Sequence, residues 1–163
     1  MKLPVVDPWY AEGLKFQCTQ CGNCCTGGPG YVWVSDVEID RFAASLNMER
    51  TAFLKKYCRL INGNVSLKEN RNLRGEYDCV FLKEIDIEAD GRIGKKRVCT
   101  AYDVRPLQCR TWPFWDGLLG SPKSWQAAKK TCPGLDRGRT FTQEQIEAYR
   151  DATDWPDRSP GST

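Results

Sequence analysis

Four cysteines within eight residues are the feature that most constrains how this chain can fold. They are Cys18, Cys21, Cys24 and Cys25, in the stretch CTQCGNCC. A C-x2-C step turns the chain tightly enough to point two sulfurs at one metal, and its repetition gives three converging sulfurs, as in loops that wrap iron–sulfur clusters. Because adjacent side chains tend to diverge, Cys25 is predicted to serve a second centre rather than the set that contains Cys24.

The other cysteines are scattered along the chain and could supply the remaining ligands of a four-cysteine site. With the first four they make eight, or two sets of four, and four-cysteine sites suit zinc, mononuclear iron or a [4Fe–4S] cluster. The alternative is that these single cysteines are small buried hydrophobic residues. The predicted distant ligands are Cys79, Cys99, Cys109 and Cys132.

Cys58 differs from the other cysteines. It follows Leu54 by four residues and continues the apolar face of a predicted helix in FLKKYC. Residues four apart lie on the same side of a helix, so Cys58 is predicted to pack in the core and not to bind metal.

The absence of histidine removes several classes of function at once. The chain has 163 residues and none is histidine, which excludes Cys/His zinc fingers, histidine acid–base catalysis and Ser–His or Cys–His nucleophile pairs. Lys plus Arg 24 against Asp plus Glu 21 gives +3. This charge is too small to indicate nucleic-acid or membrane binding, and neither is predicted.

Nine cysteines could indicate either disulfides or metal. The first residues, MKLPVVDPWYAEG, contain no apolar stretch long enough for a signal-peptide core, and no other segment approaches the length of a membrane span. We therefore expect a reducing, cytoplasmic location, where cysteines are thiols or metal ligands. A disulfide scaffold is the alternative.

The pattern predicts a small, irregular, metal-stabilised α+β domain with short helices and a small antiparallel hairpin region. A hydrophobic fraction of 40% supports one core, so residues 1–155 are predicted to form a single domain and residues 156–163 a disordered tail. Ser35 and Glu38 form a capping-box pattern before a helix whose buried stripe includes Leu46. Tyr31–Val34 is a predicted strand, and a hairpin is predicted around Asp90–Gly91.

The residues around Cys109 could carry further chemistry. Arg105 and Arg110 flank it and are interpreted as balancing thiolate charge, although both could hold an anionic ligand. The run TWPFW that follows is assigned to the core, with a shield for the metal or a partner-binding surface as alternatives. No residue is assigned a catalytic role.

Several motifs together resemble a known family. CTQCGNCC, DCVFL, CTAYDVRPLQCRTWPF and a closing CPG resemble the CxxCxxCC cysteine-cluster family, a zinc- or iron-chelating domain that includes the YkgJ-like proteins. The resemblance covers roughly Phe16 to Gly134. It implies metal binding by Cys18, Cys21, Cys24, Cys25, Cys79, Cys99, Cys109 and Cys132, and it leaves the metal open between iron and zinc.

Three functional classes follow from these patterns. In the first, an iron–sulfur centre transfers electrons, with a protein redox or client partner. In the second, zinc holds a scaffold that binds another protein. In the third, the cluster assists an enzyme reaction such as methyl transfer, because a similar cysteine domain occurs in flagellin lysine methylases. The three-sulfur run, together with the distant Cys132–Pro133, favours iron for one site.

Overall fold

A computed structural model describes residues 6–152 and Pro156 of this chain. Residues 20–110, the central unit, form one compact unit, and residues 6–19 with 111–152, the terminal unit, form another. Short helices and small antiparallel sheets make up both, which confirms the α+β class. The single domain predicted for residues 1–155 stays a prediction. The predicted tail lies outside the described residues apart from Pro156.

The first helix of the central unit begins where the sequence predicts a cap. The Ser35 hydroxyl accepts a hydrogen bond from the Glu38 backbone N–H (3.4 Å), and the Glu38 carboxylate accepts one from the Ser35 N–H (2.8 Å), which closes the predicted capping box. Leu46 is 36% exposed at the end of this helix and does not join the predicted stripe. The helices are α1 (Asp36–Ser45), α2 (Arg50–Tyr57) and α3 (Leu107–Thr111), whose last residue belongs to the terminal unit.

Short antiparallel pairs make up the β-structure of the central unit. β2 (Thr26–Gly27), β6 (Tyr77–Cys79) and β5 (Glu69–Arg71) form a three-stranded sheet in that order. β3 (Cys58–Ile61) pairs with β4 (Asn64–Leu67). The strand predicted at Tyr31–Val34 is reduced to a single bridge between Trp33 and Ser66, although the Val34 N–H still donates to the Val65 carbonyl (3.0 Å).

The longest strands of the central unit form the predicted hairpin. β7 (Leu82–Ala89) pairs with β8 (Arg92–Cys99) in continuous register from Leu82↔Cys99 to Ala89↔Arg92. Asp90 and Gly91 both have positive φ, 52° and 70°. A two-residue turn with positive φ at both positions matches the right-handed twist of the strands, and Asp-Gly adopts it readily.

Stacked aromatic rings form the core of the central unit. The ring of Phe81 lies 5.2 Å from that of Phe42 and 5.0 Å from that of Tyr57, and Phe42 lies 5.3 Å from Phe53. Cys58 packs into this core with 7% of its surface exposed, as the first residue of β3 and not as part of a helix. Burial of each large apolar side chain contributes about 1.5–3 kcal/mol.

The terminal unit has an aromatic core of its own. Phe114, from the TWPFW run, is buried with its ring 4.8 Å from that of Phe141 and 6.1 Å from that of Trp125. The elements around it are β1 (Leu14–Phe16), β9 (Arg139–Phe141), α4 (Asp116–Leu119), α5 (Pro122–Ala128) and α6 (Gln143–Ala152). β1 pairs with β9. Across residues 6–152, every helix is too short or too polar to cross a bilayer.

Candidate metal centre

The cysteine loop enters the central unit through a tight turn. Gly22 adopts a positive φ of 75°, and the Cys25 N–H donates to the Gly22 carbonyl (3.0 Å) in a single 3-10 turn over Asn23–Cys25. This turn places the sulfurs of Cys24 and Cys25 only 3.8 Å apart. The two side chains therefore do not diverge as the sequence predicted. Two thiolates bound to one tetrahedral zinc are also about 3.8 Å apart.

Strand pairing brings Cys79 to the same place. Thr26 of β2 lies opposite Asp78 of β6 in an antiparallel pair. Cys25, which precedes Thr26, therefore lies opposite Cys79, which follows Asp78. The Thr26 hydroxyl donates to the Asp78 carboxylate and fixes this register. The two-residue strand β2 thus brings together Cys25 and Cys79, which are more than fifty residues apart in the sequence.

Cys109 reaches the site on α3, whose start is held by a buried carboxylate. The Leu107 N–H donates to Glu38 Oε1 (2.6 Å), and the Cys109 N–H donates to the Pro106 carbonyl (3.0 Å). Glu38 thus caps α1 with one oxygen and positions α3 with the other. Cys99 comes from the end of β8, opposite Leu82.

The thiols of this group influence one another electrostatically. The pKa of Cys25 is raised by its hydrogen bond with Cys24, by burial and by the charges of Cys24, Cys79 and Cys109. The pKa of Cys79 is raised to about 11, chiefly by burial and to a lesser extent by the charges of Cys99 and Cys24. Burial also raises the pKa of Cys109, with contributions from Cys79, Cys24 and Cys99. Such coupling requires these five sulfurs to lie close together.

Cys24 is the thiol in this group whose pKa is lowered. The pKa of Cys24 is lowered to about 7. The hydrogen bond with Cys25 is the main cause, and the Arg105 charge makes a smaller contribution. Arg105 also opposes the rise at Cys109, which agrees with the charge-balancing role predicted for it. Its guanidinium lies 3.6 Å above the ring of Tyr102, and its Nε donates to the Tyr102 carbonyl (2.8 Å). Arg105 is thereby held beside the thiols.

The terminal unit contains two of the predicted ligands. The Gln17 N–H donates to the Gly134 carbonyl (3.1 Å), and Phe16 bridges Leu135. Because these two segments are antiparallel, the residues around Cys18 lie beside the residues around Cys132. The indole N–H of Trp112 donates to the Cys132 sulfur (3.5 Å).

The thiol side chains of this group are the right kind of ligand for a metal ion, although their sulfurs do not converge on one position. Within residues 6–152, no three Cys, Asp or Glu side chains meet at metal-ligand geometry. Three half-buried thiols nevertheless lie beside the Cys24–Cys25 pair, those of Cys79, Cys99 and Cys109. Soft thiolates of this kind select zinc, iron or an iron–sulfur cluster. A bound cation would favour the thiolate forms of Cys25, Cys79 and Cys109, which hydrogen bonding, burial and the neighbouring thiols disfavour.

Two positioning residues were missed by sequence reasoning. Arg97 of β8 donates to the Asn23 side chain and to the Cys21 carbonyl (3.5 Å), which ties the hairpin to the cysteine loop. Gly22 lies so close to the hairpin that a Cβ there would be 2.9 Å from Leu82 Cδ1. Neither residue carries a local signal, because both contacts depend on long-range packing.

A family model, described as a "Putative zinc- or iron-chelating domain", matches residues 17–133. The chain belongs to this CxxCxxCC family. Membership confirms the resemblance predicted from the sequence and supports metal binding, with zinc or iron as the metal. Membership does not test the ligands one by one, so metal binding by each of the eight cysteines stays a prediction.

The chain is also similar to a curated protein from an archaeon. An uncharacterized protein of Methanocaldococcus jannaschii is 30% identical over 105 residues, which is 64% of this chain and 48% of that protein. The chain therefore spans about half the length of the curated relative it matches. No solved structure matches the chain.

Proposed function

We propose that this CxxCxxCC protein holds a single zinc or iron ion in its central unit through Cys24, Cys25, Cys79 and Cys109. The observation that carries the proposal is the 3.8 Å separation of the Cys24 and Cys25 sulfurs. This separation suits two ligands of one tetrahedral ion, whereas sulfurs on different irons of a cubane lie farther apart. Cys99 is the fifth thiol beside the ion and could replace one of the four.

The chemistry of the site depends on which metal it holds. A thiolate-bound iron can exchange an electron, which would give the protein a redox role, whereas zinc has no redox chemistry and would act as a structural centre. The chain's own residues contribute in the same way in either case. Partial burial raises the pKa values of Cys79 and Cys109, and the Arg105 charge opposes this rise at Cys109. The proposal includes the cytoplasm as location, because thiols persist in a reducing compartment.

Anaerobic purification followed by elemental analysis, sulfide assay and visible spectroscopy tests this proposal. We expect metal bound in the central unit without labile sulfide. Cys24→Ser and Cys25→Ser should each lose that metal to the same extent, because both sulfurs bind one ion. Loss in only one of the two variants, or labile sulfide in stoichiometric amount, would contradict a shared single-ion site.

An iron–sulfur cluster with an electron-transfer role is the second candidate. The three-residue spacing of Cys18, Cys21 and Cys24 favours it, since this run is typical of loops that wrap a cubane. In this candidate the protein passes electrons to a protein partner. Brown, sulfide-containing protein that loses its colour in Cys18→Ser or Cys21→Ser would support the cluster over the single ion.

A further inference from the structure

The β7–β8 hairpin presents two faces of opposite character. Residues paired across antiparallel strands point to the same side, and successive residues alternate between sides. One side, which we name the basic face, therefore contains Lys83, Ile85, Ile87, Ala89, Arg92, Gly94, Lys96 and Val98. The other side, the acidic face, contains Leu82, Glu84, Asp86, Glu88, Ile93, Lys95, Arg97 and Cys99.

Charge is segregated between these faces. All carboxylates of the two strands lie on the acidic face, where Lys95 pairs with Asp86 (2.7 Å) and Glu84 (3.9 Å). The basic face has three cations and no carboxylate. Among the described ion pairs, none involves Lys83, Arg92 or Lys96. The basic face therefore keeps a positive charge that the hairpin does not neutralise.

The centre of the basic face is apolar and open. Ile85 and Ile87 are 42% and 37% exposed, and Gly94 opposite Ile87 adds no side chain to cover them. In the described residues, β7 and β8 pair only with each other, so no further strand extends this sheet. Charged edge strands discourage aggregation, but charges of either sign on either face would do so. Protection against aggregation therefore does not explain why the cations without carboxylate partners share one face of the hairpin.

We propose that the basic face docks an acidic, partly apolar protein segment. Its apolar side chains would cover Ile85 and Ile87, and its carboxylates would pair with Lys83, Arg92 and Lys96. Complementary charge guides such encounters and excludes wrong partners. A symmetric dimer through this face would bring like charges together, so a second copy of the chain is a poor occupant. This inference goes beyond the proposed metal site and does not depend on it.

The hairpin that carries the docking face also contacts the cysteine loop, through its acidic face. Leu82 lies against Gly22, and Arg97 donates to the Cys21 carbonyl (3.5 Å). A partner bound along the hairpin would therefore be held on the same element that fixes the loop. This arrangement suits a partner that acts on the protein close to its thiols.

Neighbouring lysines on opposite faces provide a matched test. The probe is a synthetic peptide of alternating leucine and glutamate, and its binding to the purified full chain is measured by fluorescence anisotropy. We expect Lys96→Glu to weaken binding at least about tenfold and Lys95→Glu to change it by less than about twofold. The two variants have the same net charge, so nonspecific attraction affects both equally. Ile87→Ser should also weaken binding, whereas Ile93→Ser on the other face should not.

Four results would overturn the proposal. The first is equal weakening by Lys96→Glu and Lys95→Glu, and the second is equal binding of a peptide with lysine in place of glutamate. The third is self-association in sedimentation that Lys96→Glu abolishes, which would identify a second copy as the occupant. The fourth is binding to phosphatidylglycerol vesicles without binding to the acidic peptide, which would identify a membrane surface instead.

Discussion

At the scale of single residues, Cys58 differs from the other cysteines in its surroundings rather than in its chemistry. It is buried among Phe42, Phe53 and Phe81 in the aromatic core of the central unit. We expect Cys58→Ala to keep its metal and to lose about 1 kcal/mol of stability, since a small buried group is removed. Cys79→Ala should lose the metal. Elemental analysis and urea unfolding of both variants check this, and metal loss in Cys58→Ala would contradict it.

The buried thiol of Cys58 also predicts a pH dependence. Burial raises its pKa from 9.0 to about 11. Between these values the unfolded thiol ionises while the folded thiol stays neutral, so the unfolded state binds fewer protons and the free energy of unfolding falls as pH rises. The fall between pH 9 and pH 11 should be steeper in the wild-type protein than in Cys58→Ala. Urea unfolding across this range measures the difference, and identical slopes would argue against it.

Gly22 is the residue at which side-chain size matters most for the cysteine loop. Its φ of 75° is strained for other residues, and an added Cβ would lie 2.9 Å from Leu82. We expect Gly22→Ala to cost about 1–3 kcal/mol and to weaken metal binding in chelator competition. Gly28→Ala is the matched control, because a Cβ there meets no atom within 4 Å. Similar affinities in the two variants would refute this role.

At the scale of elements, Glu38 links a helix start to the metal site. Ser35→Ala removes only the cap of α1 and should cost about 1 kcal/mol. Glu38→Ala should cost more, because it also leaves the half-buried Leu107 N–H without its acceptor (2.6 Å). It should also weaken metal binding, because α3 carries Cys109. Urea unfolding and chelator competition compare the two variants. Equal losses would show that α3 does not depend on Glu38.

Elements with local signals could be predicted, and those that need distant partners could not. The Ser35 capping box and the Asp90–Gly91 turn depend on residues a few positions apart, so the sequence was sufficient. The pairing of β2 with β6 joins Thr26 to Asp78, and two residues give no strand periodicity to recognise. The proximity of Cys24 and Cys25 followed from a 3-10 turn, which overrode the expected divergence of neighbours.

At the scale of the whole molecule, metal binding and folding should be coupled. Thiolate–metal bonding contributes on the order of 10 kcal/mol at a structural site. The free energy of unfolding of a typical protein is of the same order. We expect the metal-free protein to be at best loosely folded, with a broad thermal transition. Circular dichroism before and after chelation measures this, with readdition of metal as the control. An unchanged spectrum after complete metal loss would contradict it.

The division into two units sets a limit on what composition could predict. A hydrophobic fraction of 40% indicates enough apolar side chains for one core, but it does not say how they are shared. Phe81 and Phe114 pack in separate aromatic groups, and Thr111, at the end of α3, is where the chain passes from one unit to the other. The assignment of cysteines to units likewise follows from packing, which no spacing rule reveals.

The alternation of Lys95 and Lys96 restricts how the hairpin could change in length during evolution. A single residue inserted into β8 would turn every following side chain over, so that Lys96 would join Glu84 and Asp86 on the acidic face. Two residues added to each strand would leave both faces intact and only extend the arm. The hairpin can therefore vary in its reach, while its strands are expected to change length only in steps of two.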